Sequence, residues 1–378
     1  MRMLVVPLFG SHFVPMASTF TPIPKSRKER PAAADSITTS RPPKTTMFGI
    51  PGIGHYHGCG METNHRTRFG VVIPAFGCAS TIGATLDAVA LQGHRPSAVI
   101  VVIDGPDREL EEIVAGHSQF TEILVLPKNT GGPSEPRNAG VDRIQARHEL
   151  DAVWFLDADD LPAPDFLKVM DDLLQRHSGA AMVVASHMNW TVSYQPAEPA
   201  PFSPTLESVV FDLDWYLKNT GEVLPSFSVI RTRSIDHLRT DGGGFHSDLR
   251  NNQDYEFFVR MIAILECVRT PWVGGAYRIH EASISANQAG AWDCRRQADV
   301  RLANWFERRG ERRLAARFLA NADSAARRSA KESWHAGRKA AAASTLFRRM
   351  IFSLDLKSAA VFFRLAIGAE RPSGRDGT

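Results

Sequence analysis

Between residues 69 and 160 the chain repeats one alternation four times: a short, strongly apolar run followed by a stretch with helical spacing. The runs are GVVIPAF (70–76), AVIVVID (98–104), EILVLP (122–127) and AVWFLDAD (152–159). Runs rich in β-branched residues and apolar on both faces fit parallel strands that helices cover from each side. Of the intervening segments, Ser80–Gln92 predicts a helix with a Ser cap and an apolar face of Ile82, Leu86, Val89 and Ala90. Glu109–His117 and Glu135–His148 predict two more. The succession implies an α/β fold with a doubly wound, mainly parallel sheet, and ligands at the carboxyl ends of its strands.

Beyond Asp165 the pattern predicts a helix to about His177 and a strand in AAMVVASHM. A loop rich in Pro and Ser follows at 196–204. Next come PSFSVIR (225–231), a turn in DGGGFHSDL, a helix within residues 251–266 and a strand in VRTPWVGGAYRIH. From about Ala289 onward the chain is rich in Ala, Arg and Leu, with amphipathic helical spacing. Residues 17–66 are rich in Pro, Ser, Thr, Lys and Arg, have neither period, and predict a disordered leader. The expected organisation is therefore a leader (1–67), a catalytic domain (68–289) and a basic helical region (290–378). Within the domain, 68–165 would bind a nucleotide and 166–289 an acceptor.

The opening MRMLVVPLFGSHFVPMAS is interrupted by Pro7, Gly10, His12 and Pro15, which makes a poor secretory signal. His55, His57, Cys59 and His65 have donor atoms for a metal, but incidental histidines in a polar tail account better for a segment with nothing to hold a site rigid. Cys59, Cys78, Cys267 and Cys294 form no CxxC pair, so neither a zinc ribbon nor a disulfide scaffold is expected and a reducing cytoplasm fits. No uninterrupted apolar run is long enough to span a bilayer.

The net charge is +3, yet residues 295–349 carry fifteen Lys and Arg against five Asp and Glu, an excess of +10 that leaves −7 for the remainder. Those cations are not interleaved with aromatic stacking platforms, which argues against nucleic acid. A basic amphipathic helix suits peripheral contact with the inner face of an anionic membrane, and it suits packing on the catalytic domain with solvated arginines. The composition leaves both open.

The fourth apolar run leads into Asp157, Asp159 and Asp160. Like charges this close repel, and burial penalises each of them, so a cation is expected. Mg²⁺ or Mn²⁺ takes oxygens from one or two carboxylates together with substrate phosphates. An acidic loop capping the next helix is the plainer alternative. Asp104, ending the second run, could accept from a nucleobase or ribose, or could simply form a turn with Gly105. In PKNTGGPSEPRNAG, Gly131 and Gly132 would let the backbone approach a ligand, and Arg137 and Asn138 open a helix where a phosphate or base could meet a guanidinium.

The ordered set VVIPAF, VIVVIDGPD, PKNTGGPSEPRNAG, FLDADD, GGFHSDLRNNQDYEFFVRM and YRIHEASIS resembles the inverting family 2 glycosyltransferases of the GT-A, Rossmann-like fold, over roughly residues 69–287. The resemblance implies that Pro74, Ala75 and Phe76 line a base pocket, that Asp104 contacts the base, and that Arg137 faces the nucleotide. It implies further that Asp157 faces the ribose or metal-bound water and that Asp159 ligates Mg²⁺ or Mn²⁺, while Asp160 matches an extra acid of less defined role. His280 would approach the metal or diphosphate, although a histidine packed in a strand is the bland alternative. The family's base is the aspartate of a Glu-Asp pair; here Asp254 matches it and Gln253 replaces the glutamate. A helix N-terminus favours its ionised form. An ordinary N-cap is the alternative role for Asp254.

The implied reaction moves a sugar from a nucleoside-diphosphate donor to a carbohydrate or lipid-linked acceptor, in cell-surface polysaccharide or glycolipid synthesis. Two other functions compete. A sugar-nucleotidyltransferase would carry a basic, Gly-rich loop after its first strand, and PAFGCAST has no basic residue. A catalytically silent nucleotide-sugar-binding subunit is hinted at by Gln253 alone. Trp215, Trp272 and Trp292 are candidate sugar platforms, although large aromatics more often pack in cores.

Overall fold

A computed structural model describes residues 66–190, 206–279, 288–352 and 356–368. Of the two units into which the chain divides, all of these residues belong to Thr63–Thr378. The first strands are β1 (Phe69–Ala75), β2 (Ala98–Ile103), β3 (Glu122–Val125) and β4 (Ala152–Phe155). They alternate with helices α1 (Ile82–Ala90), α2 (Arg108–Ala115) and α3 (Ser134–Gln145). Next come β5 (Leu161–Pro162), α4 (Phe166–Arg176), β6 (Met182–Trp190), β7 (Val209–Phe211), α5 (Leu213–Lys218), β8 (Ser228–Arg231) and α6 (Thr232–Thr240). The described chain closes with α7 (Gln253–Ile264), β9 (Cys267–Arg278), α8 (Gln288–Arg308), α9 (Arg312–His335), α10 (Lys339–Phe352) and α11 (Leu356–Ala366).

The strands form one sheet in the order β3-β2-β1-β4-β8-β6-β9-β5, with β7 also on β9. The pairs β1–β2, β1–β4, β2–β3 and β6–β9 are parallel, whereas β8, β5 and β7 run antiparallel to their neighbours. The α/β sheet expected from the apolar runs is present, parallel across β3-β2-β1-β4 and mixed beyond β4, followed by helices.

Strand alternation explains the layers. Phe69, Val71, Ile73 and Ala75 point into one core with Leu86 of α1, Leu110 of α2 and Phe166 of α4. Val72 points to the opposite core, with Val141 of α3, Phe257 of α7 and Phe306 of α8. Each fully buried side chain of this size contributes about 1.5–3 kcal/mol from apolar transfer, which is why short strands without polar interruptions occupy the middle. Gly140 of the RNAG motif sets the close spacing of α3 on β1, because a Cβ there would lie 2.3 Å from Val72 Cγ1.

Several boundaries differ from the sequence expectation. Thr81, not Ser80, is the cap residue of α1, and its hydroxyl donates to the carbonyls of Cys78 and Ala158. Ala90 is exposed, while Thr85 occupies the buried face of α1. α5, α6 and β7 lie in segments without a readable periodicity. Thr67 is already buried, its N and Oγ1 donating to Asp171 Oδ1. Residues 1–65, including His55, His57, Cys59 and His65, lie outside the described residues.

The basic helices share the main core. Ala298, Leu302 and Trp305 of α8 and Phe318 of α9 pack in the same cluster as α7. Buried Asp299 of α8 accepts from the Tyr255 hydroxyl at 2.8 Å, and Asn252 Nδ2 donates to Ala291 O at 3.2 Å. No helix among the described residues is long and apolar enough to cross a membrane.

Candidate active site

The loop Asp157–Asp160 begins where β4 ends and is held from several sides. Asp157 N donates to Ser226 Oγ at 3.1 Å. On α1, the Thr81 hydroxyl reaches Ala158 O at 3.0 Å, and the Thr85 hydroxyl lies 3.1 Å from both Ala158 O and Asp160 O. From β9, Arg278 N donates to Asp160 Oδ1 and Arg278 Nε to Asp159 O, each at 2.9 Å. One backbone bond lies within the loop, Asp160 N to Asp157 O at 3.2 Å, and the others come from neighbouring elements, so the scaffold directs the carboxylates.

Asp157 meets Arg137 of α3, whose Nη2 donates to Oδ1 at 2.6 Å. Arg137 is buried beneath the Phe245 ring, with Nε and Nη1 lacking a partner. Asp160 is fully buried, and its Oδ2 is also without a partner. Burial first, then the charges of Asp159 and Asp157, push the Asp160 carboxyl well above the usual range. The guanidinium of Arg137 meets Asp157 and that of Arg278 meets the Asp159 carbonyl, and the oxygen-rich donor set of the loop fits Mg²⁺ or Mn²⁺ shared with a diphosphate. Among the described residues, no group of three or more His, Cys, Asp or Glu could hold a metal by itself.

Asp104, buried at the end of β2, accepts from Thr130 N and Oγ1 at 2.8 Å each. Gly105 follows with φ +98°, and a Cβ there would approach Asn129 N to 2.7 Å, so the turn after Asp104 requires glycine. Pro74 is half-buried, Ala75 is buried, and Phe76 stands 68% exposed just past β1.

Asp254 lies in the first turn of α7. The N-cap is Asn252, at φ 60°, so capping is not the role of Asp254. Asp254 Oδ1 accepts from Tyr255 N at 2.8 Å, and Gln253 is buried with an unpartnered Oε1. Burial raises the Tyr277 hydroxyl first, and the charges of Asp160, Asp157, Asp159 and Asp254 raise it further.

Two expectations are corrected. Gly131 and Gly132 leave room not for a ligand but for this chain's own Arg250, whose backbone would lie 3.2 Å from a Cβ at position 132 and whose Nε donates to Gly131 O. The surrounding loop lies across α3, where Asn138 exchanges hydrogen bonds with the backbone of Phe245. The tryptophans are likewise engaged: Trp272 is core, Arg269 covers Trp215 at 4.4 Å, and Arg328 covers Trp292 at 4.5 Å. His280 lies outside the described residues. Thr81, Thr85, Ser226 and Tyr277 went unnoticed in the sequence, although Thr85 had one signal, a polar residue interrupting the apolar face of α1.

The model of the family described as glycosyl transferase family 2 matches residues 70–238. This segment belongs to glycosyl transferase family 2. Among curated relatives, the amylovoran biosynthesis glycosyltransferase AmsB of Erwinia amylovora is 28% identical over 202 residues, covering 51% of this chain and 63% of that protein. An uncharacterized glycosyltransferase of Rickettsia felis is 22% identical over 114 residues, 30% of this chain and 18% of that protein. The chain thus spans less than two thirds of the length of these relatives. The crystal structure of S. aureus TarS 1-349 in complex with UDP-GlcNAc superposes with a TM-score of 0.54 at 16% identity, covering 80% of this chain and 91% of that one. At that identity the likeness is one of fold, and it places the family 2 segment in a GT-A architecture.

Proposed function

We propose that this protein is an inverting glycosyltransferase that moves a sugar from a nucleoside-diphosphate donor to an acceptor hydroxyl, in polysaccharide or glycolipid synthesis. One observation carries the proposal: the acidic Asp157–Asp160 loop at the carboxyl end of β4 is bound to the buried guanidinium of Arg137, which keeps two unpartnered nitrogens. On this basis residues 68–289 form the catalytic domain, with 68–165 on the donor side and 166–289 on the acceptor side.

In the proposed step Asp254 accepts the proton of the acceptor hydroxyl, whose oxygen bonds to the anomeric carbon as the bond from that carbon to the donor's phosphate oxygen breaks. Attack from the face opposite the departing diphosphate inverts the centre. Arg137 Nε and Nη1 donate to the nucleotide, Asp104 contacts the base, and Pro74, Ala75 and Phe76 border it. Asp159, with Asp157 beside it, supplies the carboxylate oxygens for Mg²⁺ or Mn²⁺, which when bound neutralises the leaving diphosphate. His280 is assigned to the diphosphate by the family resemblance alone.

The TarS complex makes UDP-GlcNAc the first donor to try, and AmsB suggests a polysaccharide acceptor. The test is a panel of nucleotide sugars with and without Mn²⁺, following nucleoside diphosphate release for the parent and for Asp254→Asn. An active parent and an inert variant that still binds donor support the proposal. Pyrophosphate release points instead to nucleotidyl transfer, and donor binding without turnover by the parent points to a silent subunit.

A further inference from the structure

Helix α11 has two apolar faces, and only one of them is packed. Leu365 and Ser358 are buried, and Val361 and Phe362 sit against a small core of Ala330, Ala342, Leu346 and Trp334 from α9 and α10. On the opposite side Leu356, Phe363 and Ile367 are 84%, 62% and 76% exposed. Together with exposed Ala360 they follow the spacing i, i+4, i+7, i+11, inside an arc of about 60°. Isolated exposed leucines need no explanation, whereas a stripe of large side chains along a whole helix marks a contact surface.

Charge decides the partner. Residues 339–368 carry Lys339, Arg348, Arg349, Lys357 and Arg364 against the single Asp355; Arg349 pairs with Asp323 of α9, which leaves four other cations in this stretch. Lys357 and Arg364 follow Leu356 and Phe363 in sequence, which puts them about 100° round the helix on one rim of the stripe. On the neighbouring helix Phe347, 58% exposed, stands next to Arg348. Large apolar residues on one face with cations at its edge, on a helix too short and too charged to span a bilayer, are the features of a helix lying in a lipid interface.

We propose that the Leu356–Ala360–Phe363–Ile367 face of α11 docks this protein on an anionic lipid surface, with Lys357 and Arg364 meeting the headgroups. Each cation near such a surface raises partitioning about fivefold at low salt, so the binding is salt-sensitive. The proposal does not depend on the transferase activity, since none of these residues touches the candidate active site.

The experiment is co-sedimentation of the full chain with vesicles of phosphatidylcholine alone or mixed with phosphatidylglycerol, at low and high salt. Binding is expected to the anionic vesicles, weakened at high salt, and reduced at least tenfold in the Phe363→Asp/Ile367→Asp double variant. Because both side chains are exposed, that variant should melt at the parent's temperature, and its donor turnover in solution should be unchanged. Equal sedimentation of parent and variant, or no preference for anionic lipid, overturns the proposal. So does a parent that ignores vesicles yet forms a dimer that the double variant lacks, which would make the stripe an interface between copies.

Discussion

Arg137 and Asp157 form a 2.6 Å ion pair that joins the first turns of α3 to the end of β4, and the guanidinium keeps two buried nitrogens unpartnered. A buried donor without an acceptor costs about 1–3 kcal/mol, so the arrangement is under-satisfied until an acceptor-rich ligand arrives. Arg137→Met should leave Asp157 without its counterion and lower Tm by several degrees. Arg137→Lys should recover part of that stability but not donor affinity, because an ammonium cannot reproduce the fork of guanidinium donors. Scanning calorimetry and donor titration separate the two effects; equal donor affinity in parent and Lys variant would contradict the assignment.

Asp254→Asn should reduce sugar transfer by about 10²–10⁴-fold, the usual contribution of a general base, with donor binding unchanged. Since Asn252 is the helix cap, the substitution should leave Tm close to that of the parent. A variant that loses stability and activity together would reassign Asp254 to structure.

Thr85→Val keeps shape but removes the hydroxyl that meets Ala158 O and Asp160 O. A loss of about 1–2 kcal/mol in stability is expected, with a larger fall in metal-dependent donor affinity as the acidic loop loosens. Thr85→Ser should restore both. Isothermal titration with and without Mn²⁺ provides the measurement.

The Asp171 carboxyl, which burial alone would raise, is held at about 2 by hydrogen bonds from His94, Thr67 and Gln175. Its folded pKa lies below the unfolded value of 3.8, so its stabilisation is present above pH 3.8 and disappears as pH falls toward 2. Asp171→Asn should therefore melt below the parent at pH 7, and the two should converge between about pH 4 and pH 2. A difference independent of pH in thermal melts would assign the effect to packing.

How much of this was legible beforehand depends on range. Strands β1, β2 and β4 could be read from local composition, because a strand buried on both faces must be apolar throughout, and AVIVVI admits little else; β3, the half-buried edge strand, was legible from its short apolar run. The Asp157–Asp160 loop and Asp254 could be singled out because charge at a buried strand end and at a helix start is locally anomalous. What holds them in place could not: Ser226 and Arg278 reach the loop across about 70 and 118 residues, and a serine in a loop carries no mark of that reach. Gly131 and Gly132 misled for the same reason, since a gap kept open by glycine looks identical whether a ligand or Arg250 fills it.

Strand β9 (Cys267–Arg278) lies inside the sheet, between β6 and β5, and begins 29 residues beyond the end of the family match at 238. A fragment trimmed to the matched segment would keep every residue of the acidic loop and yet expose the backbone of β6 as a raw, apolar edge. Such fragments should precipitate or form strand-exchanged aggregates. Where the recognisable homology stops and where the molecule can safely be cut are, in this chain, different places.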